Sequence, residues 1–241
     1  MIDIVCPLGS GSLAHNMELK YSLRSLEKYG QNVGNVFLIG ECPKWIKNVI
    51  HIPCGEHGTH HERNIMEKFR IACNDERVGE NFLKWNDDYF LLDKIDCENY
   101  PYYSMKGKSL IDGVNARMKY DGYAMSLDNS RKHLEAKGFP SLHYDIHCPI
   151  IYNKKLFLEY VCDIDWTIPQ GYTLKSLYGN QIQNVNKQPF IELKINKISS
   201  LIEIKLKTKG RHIFSISDAA LGYPMKMFLE MTYPQKSRYE K

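Results

Sequence analysis

The stretch Phe82-Leu83-Lys84-Trp85-Asn86-Asp87-Asp88-Tyr89-Phe90-Leu91-Leu92 sets three polar residues in the middle of an apolar run. A short apolar segment reads as a buried strand, and two carboxylates inside it would lose their hydration unless something of opposite charge meets them. A divalent cation does this. Hard oxygen ligands suit Mg²⁺ or Mn²⁺, which would in turn hold a diphosphate, so Asn86, Asp87 and Asp88 are read as a metal and donor site at the carboxyl end of a central strand. The plainer reading is a strand end whose acids are solvated.

Upstream, residues 2–5 form a first apolar strand, followed by Pro7-Leu8-Gly9-Ser10-Gly11-Ser12, whose glycines let backbone approach a ligand closely. Asn16 is placed to cap a helix with Leu19, Leu23 and Leu26 on one face, and residues 36–39 and 49–52 give two more strands. A polar loop then leads into a helix carrying Met66, Phe69, Ala72 and Cys73, and that helix delivers the chain to Phe82. Strands alternating with helices predict a parallel α/β sheet. Ligands of such sheets sit beyond the carboxyl ends of the strands, so Pro7, Gly9, Ser10 and Gly11 are expected to face the same cleft as Asp87 and Asp88. Arg63 and Lys68 are candidates for contacting a phosphate there, or else surface charges.

The second half is less periodic. Residues 100–123 read as an acceptor-facing insertion or a packed loop, and residues 129–137 as a helix. Along Leu142-His143-Tyr144-Asp145-Ile146-His147-Cys148-Pro149-Ile150-Ile151-Tyr152, period two puts His143, Asp145 and His147 on one face of an expected strand. Asp145 or His147 could accept the proton of an attacking hydroxyl or steady a phosphate; the alternative is a satisfied histidine on a half-exposed strand. Alternating apolar and basic residues over 190–209 predict a lysine-edged strand or hairpin, residues 211–218 another strand ending in an acid, and Pro224 the first turn of a last helix.

Composition narrows the class. The chain of 241 residues is 43% hydrophobic and 25% charged, which excludes fibrous and disordered classes and suits one domain over 1–241, whose more regular half, 1–95, ends with the acidic run and whose less periodic half is 96–241. A net charge of +4 is mild; it is compatible with an anionic partner such as a nucleotide sugar, a lipid phosphate or DNA. The seven cysteines include no CxxC pair, so zinc spacing is absent and reduced thiols in a cytoplasmic protein are expected. No apolar run approaches the roughly twenty residues of a membrane span.

Several segments, in order along the chain, resemble the Stealth proteins, which are sugar-phosphate transferases using nucleotide sugars. Glu18-Leu19-Lys20-Tyr21-Ser22-Leu23-Arg24-Ser25-Leu26-Glu27-Lys28-Tyr29 with Pro43-Lys44-Trp45-Ile46 is similar to that family's "ELRYSLRSIEKY…VPxWL", Asn64-Ile65-Met66-Glu67 to its "NAIE", and Phe82 to Leu91 to its "FLYFNDDMFL". His147-Cys148-Pro149 resembles its H-x-P motif, Ser217-Asp218 its "ND" segment, and Pro234-Gln235-Lys236-Ser237-Arg238-Tyr239-Glu240 its "P-x-x-S-x-(F/Y)-E" ending. The resemblance implies a GT-A-like (Rossmann-like) mixed sheet flanked by helices with a smaller acceptor-side extension, a UDP-sugar or related donor, and a saccharide acceptor. It also implies a metal at Asn86 and Asp88, completed by His212 as a C-terminal histidine of GT-A enzymes does, and roles for Asp218 and Arg211 near the reacting groups. The family's opening "WVDGSDP" is replaced here by Cys6 to Ser12 without either aspartate, which favours transfer of a sugar over a sugar phosphate. A hydroxylated base in DNA is the other acceptor considered, and a sugar- or nucleic-acid-binding module that has lost catalysis is the reading from another class.

Overall fold

The computed structural model describes all residues except Gly11, Leu13, Ala14 and His57. In chain order the elements are β1 (Ile2–Leu8), α1 (Met17–Tyr29), β2 (Gly30–Gln31), β3 (Val33–Gly40), β4 (Ile50–Ile52), α2 (His61–Asn74), β5 (Asn81–Lys84), β6 (Tyr89–Leu91), β7 (Ile95–Asp96) and β8 (Tyr102–Met105). They continue as α3 (Leu110–Asn115), α4 (Gly122–Ala136), β9 (Ile150–Asn153), α5 (Lys154–Tyr160), α6 (Leu174–Gln181), β10 (Lys187–Phe190), β11 (Lys194–Ile195), α7 (Leu201–Thr208), β12 (Ile213–Ile216) and α8 (Tyr223–Thr232).

The main sheet runs β4-β3-β1-β5-β9, parallel except for β9 against β5. Period two deals its side chains into two cores. Ile4, Cys6, Leu38 and Leu83 meet Leu19, Leu23 and Leu26 of α1, whereas Val5, Phe37, Ile39 and Phe82 meet Met66, Phe69 and Ala72 of α2. Helices therefore cover both faces, and the sheet reverses its strand order beside β1. The chain leaves this sheet after Trp85, turns through Asn86-Asp87-Asp88, and enters a second sheet in which β6 pairs antiparallel with β12 and β12 parallel with β11. The acidic turn thus occupies the seam between two sheets.

Four local expectations are corrected. Residues 142–149 are not a strand: the buried Lys175 ammonium bonds the carbonyls of Ile146 and Cys148, and His143 exchanges backbone bonds with Met105 and Lys108, so only Ile150–Asn153 pairs with β5. Residues 201–208 are helical because the Ser200 hydroxyl accepts from Glu203 N at 3.2 Å, an N-cap that outweighs the alternating pattern. Asn16 stands in the left-handed region (φ 58°) and makes no side-chain cap, whereas Ser12 Oγ accepts from Asn16 N. Residues 100–123 are more regular than expected, since Ser109 and Asp112 form a capping box that starts α3 and Asp121 caps α4.

Candidate active site

Two serines of α1 fix the acidic turn from below. Ser22 Oγ accepts from the buried Trp85 Nε1 at 2.8 Å and donates to Asn86 O, and Ser25 Oγ accepts from Leu91 N at 3.1 Å. Trp85 N still bonds Val5 O, so the turn begins where the β1 ladder ends. Above it opens a cavity of about 660 Å³. Its walls come from the end of β5 (Lys84, Asn86), the first turn of α2 (His61, Glu62), the 143–147 segment, α3, Lys175 of α6, and Glu192 and Lys194 at the second sheet.

His143, Asp145 and His147 all line this cavity, although no strand carries them there. His147 lies between two charges: its Nε2 is 2.8 Å from Lys194 Nζ and its Nδ1 is 3.3 Å from Asp88 Oδ2. An ammonium can only donate, so Nε2 is the bare nitrogen and the ring proton sits on Nδ1, facing Asp88. The backbone N–H of His147 donates to Glu192 at 2.6 Å, which fixes the ring's starting point. Asp145 accepts from Tyr123 OH at 2.7 Å. Burial raises the Asp145 carboxyl, but Lys175, Tyr123, His143 and Lys84 outweigh it and hold the group below the usual carboxylate range.

Asp87 and Asp88 are driven apart. Burial followed by the charges of Asp88 and Glu18 pushes Asp87 up. Burial also acts on Asp88, but His147, Lys194 and Lys84 prevail and keep it low. Asp88 Oδ1 and Glu18 Oε2 are buried without a hydrogen-bond partner. These acids fit a divalent cation of the kind held by one or two carboxylates and completed by phosphate oxygens and water. Among the described residues no three His, Cys, Asp or Glu side chains could cage an ion unaided.

Not every expected residue joins them. His212 stands across from Leu92, packed on Phe190 and Tyr103, at the end of β12 away from Ser215, which pairs with Tyr89. Three strand residues, Tyr89–Leu91, lie between Leu92 and Asp88, four residue steps or about 13 Å, so His212 stands well apart from the two acids with which it was expected to share an ion. Asn86 Oδ1 is bonded by Lys84 Nζ and is a poor ligand as placed. Arg211 bonds Ile191 O, Arg63 is paired with Glu67 at 2.6 Å, and Asp218 is exposed in a 3-10 turn; none lines the cavity. Pro7 is the next-to-last residue of β1, with Gly9 and Ser10 beyond its carboxyl end, while Gly11 lies outside the described residues. Lys68 is buried at the same end of the sheet, 2.9 Å from Glu56 and beside Gly40 at the close of β3.

Sequence reasoning missed Lys84, Lys175, Lys194, Glu62 and Glu192. Lys84 alone had a signal, a charge within an apolar strand. Its side chain is buried, and burial with Lys175 nearby brings its pKa down to about 8.

A mixed sheet with helices on both faces and an acidic turn at the carboxyl end of its central strands defines the GT-A-like fold. Among solved structures the chain is similar to the galactosyltransferase LgtC in complex with donor and acceptor sugar analogs, at 9% identity and a TM-score of 0.50, with 98% of each chain covered. An active-site mutant of LgtC matches equally, at 10% identity, TM-score 0.50 and 98% of each chain. At such identities the likeness establishes the fold. No family model matches the chain, and no curated protein sequence matches it.

Proposed function

We propose that the chain is a nucleotide-sugar-dependent glycosyltransferase that moves a sugar to the hydroxyl of a saccharide. One observation carries this reading most: the adjacent acids Asp87 and Asp88, the latter with a buried, unpartnered oxygen, lie in the seam above β5 in a fold shared with a galactosyltransferase, and Lys84 and Lys194, which line the neighbouring cavity, set their charges against Asp88. Asp87 and Asp88 would hold Mn²⁺ or Mg²⁺, which neutralises the diphosphate as it leaves. Lys84 and Lys194 supply further positive charge to the leaving phosphates. Asp145, ionised and oriented by Tyr123, receives the acceptor hydroxyl and takes its proton as the oxygen bonds to the anomeric carbon and the bond from that carbon to the phosphate oxygen breaks. His147 holds Asp88 and Lys194 in mutual register.

Sugar-phosphate transfer is the second reading. Lys84, Lys175 and Lys194 all line the cavity and could surround the non-bridging oxygens of a phosphorus under attack. The two reactions release different products. Incubation with UDP-, GDP- and CMP-sugars, Mn²⁺ and saccharide acceptors should release nucleoside diphosphate and a glycosylated acceptor; nucleoside monophosphate would establish the second reading. A protein that binds donor but turns over none of these mixtures would be a binding module, and a hydroxylated-base duplex run as acceptor tests the DNA alternative.

A further inference from the structure

Outside the cavity, the surface around α7 breaks the usual rule for an amphipathic helix. Ile204 and Thr208 point into the core shared with Met225, Phe228 and Leu229 of α8. At about 100° per residue the opposite, outward face must then carry Ile202 and Leu206, one turn apart. These side chains are 72% and 70% exposed, and Tyr223 at the start of α8 is 75% exposed. Met231 at the other end of α8 is also exposed. Among the described residues, large apolar side chains more than two-thirds exposed are Met1, Met118, Ile202, Leu206 and Tyr223, so three of five lie on these two helices.

The same outward face of α7 bears Lys205, and Lys209 follows it, both exposed. Of the acids nearby, Glu203 is turned to Lys207 at 3.6 Å and Glu230 accepts from Tyr21 OH at 3.3 Å, which leaves the lysines in excess. We propose that this face docks on an anionic lipid surface, with Ile202 and Leu206 entering the acyl boundary and Lys205 and Lys209 meeting headgroup phosphates. An interfacial helix is built in this way, with apolar side chains flanked by lysines that reach the charged layer. Two other occupants fit less well. A nucleic acid would engage the lysines but gains nothing from exposed Ile202 and Leu206, and a second copy of the chain would bring like charges together.

The test is co-sedimentation of the full chain with vesicles of mixed phosphatidylglycerol and phosphatidylcholine and with phosphatidylcholine alone, at low and high salt. Binding to the mixed vesicles that weakens with salt is expected. The double variant Ile202→Ser/Leu206→Ser should lose at least tenfold in affinity, roughly a third or more of the apolar transfer free energy of the two side chains. Lys205→Gln/Lys209→Gln should lose about tenfold and much of the salt dependence. Because all four positions are exposed, thermal melts of both variants should match the parent. Absence of binding to mixed vesicles overturns the proposal, as does equal binding by the apolar double variant. A dimer that this variant makes monomeric, or duplex binding lost only in the lysine variant without vesicle binding, assigns the face to those partners instead and equally overturns it.

Discussion

At the scale of single residues, His147 is the joint of the site because it is the only group in contact with both Lys194 and Asp88 among the described pairs. His147→Ala should therefore lower kcat by roughly 10²-fold, with a smaller change in donor affinity, as steady-state kinetics with donor varied would show. An effect confined to KM would mean that turnover does not depend on His147 holding Asp88 and Lys194 together. Gly179 makes a different point. Alanine is the better helix former by about 1 kcal/mol, yet a Cβ at this position of α6 would come within 2.5 Å of the Tyr144 ring. Tyr144 is fully buried and cannot retreat, so Gly179→Ala should destabilise by about 1–3 kcal/mol despite its propensity, measurable by denaturant unfolding.

At the scale of elements, α1 does two jobs from one sequence. Its Ser22 and Ser25 fix the acidic turn, and its Arg24 reaches the far end of the chain, where Nε and Nη2 each lie 2.7 Å from a Glu240 oxygen. Ser237 N adds a bond to the same carboxylate, and backbone bonds tie Tyr239 and Lys241 to the Trp45–Lys47 segment. Three segments quoted for their family resemblance thus meet in one clasp. Both charges are buried, with side-chain exposures of 8% and 4%, so removing one partner leaves the other without compensation, and Arg24→Ala should cost about 3–5 kcal/mol.

The clasp also has a pH signature. Burial alone would raise Glu240, but the Arg24 and Ser237 hydrogen bonds overcome it and leave the carboxyl below its ordinary range. A carboxyl lowered by folding stabilises above its unfolded pKa and loses that contribution as pH falls through its folded one. The difference in stability between the parent and Glu240→Gln should therefore be largest near neutrality and shrink on acidification through the carboxylate range, as melts at several pH values would record. In the turn itself, Ser22→Ala leaves the buried Trp85 N–H without its acceptor. It should cost about 1–3 kcal/mol and lower turnover as the acids lose their support.

At the scale of the whole molecule, the acids, the loop after β1 and the buried lysines come from segments far apart in the chain, and a donor with its cation would bridge them. Saturating donor plus Mn²⁺, at about 100 times its Kd, should stabilise the fold by about 2.7 kcal/mol. Chelation by EDTA or the substitution Asp88→Asn should abolish that shift. A donor-induced shift unchanged by either would mean that the acids do not hold a cation.

The local code was legible where burial repeats along the chain: β1, β3, α1, α2 and β5 follow from apolar periodicity, and Asn86-Asp87-Asp88 stood out as polar residues in an apolar run. The sequence by itself therefore determined the α/β sheet and the acids at its carboxyl end, since backbone periodicity and the cost of burying charge act between near neighbours. Only the tertiary structure decided which charges gather at the cavity beside them. Lys194 reaches His147 across 47 positions and Lys175 reaches Cys148 across 27, while His212, Arg211 and Arg63, equally suitable as residue types, point elsewhere. A lysine at a cavity and a lysine in water look the same in a sequence. What separates them is the set of distant atoms that folding brings within 3 Å, and that is a property of packing.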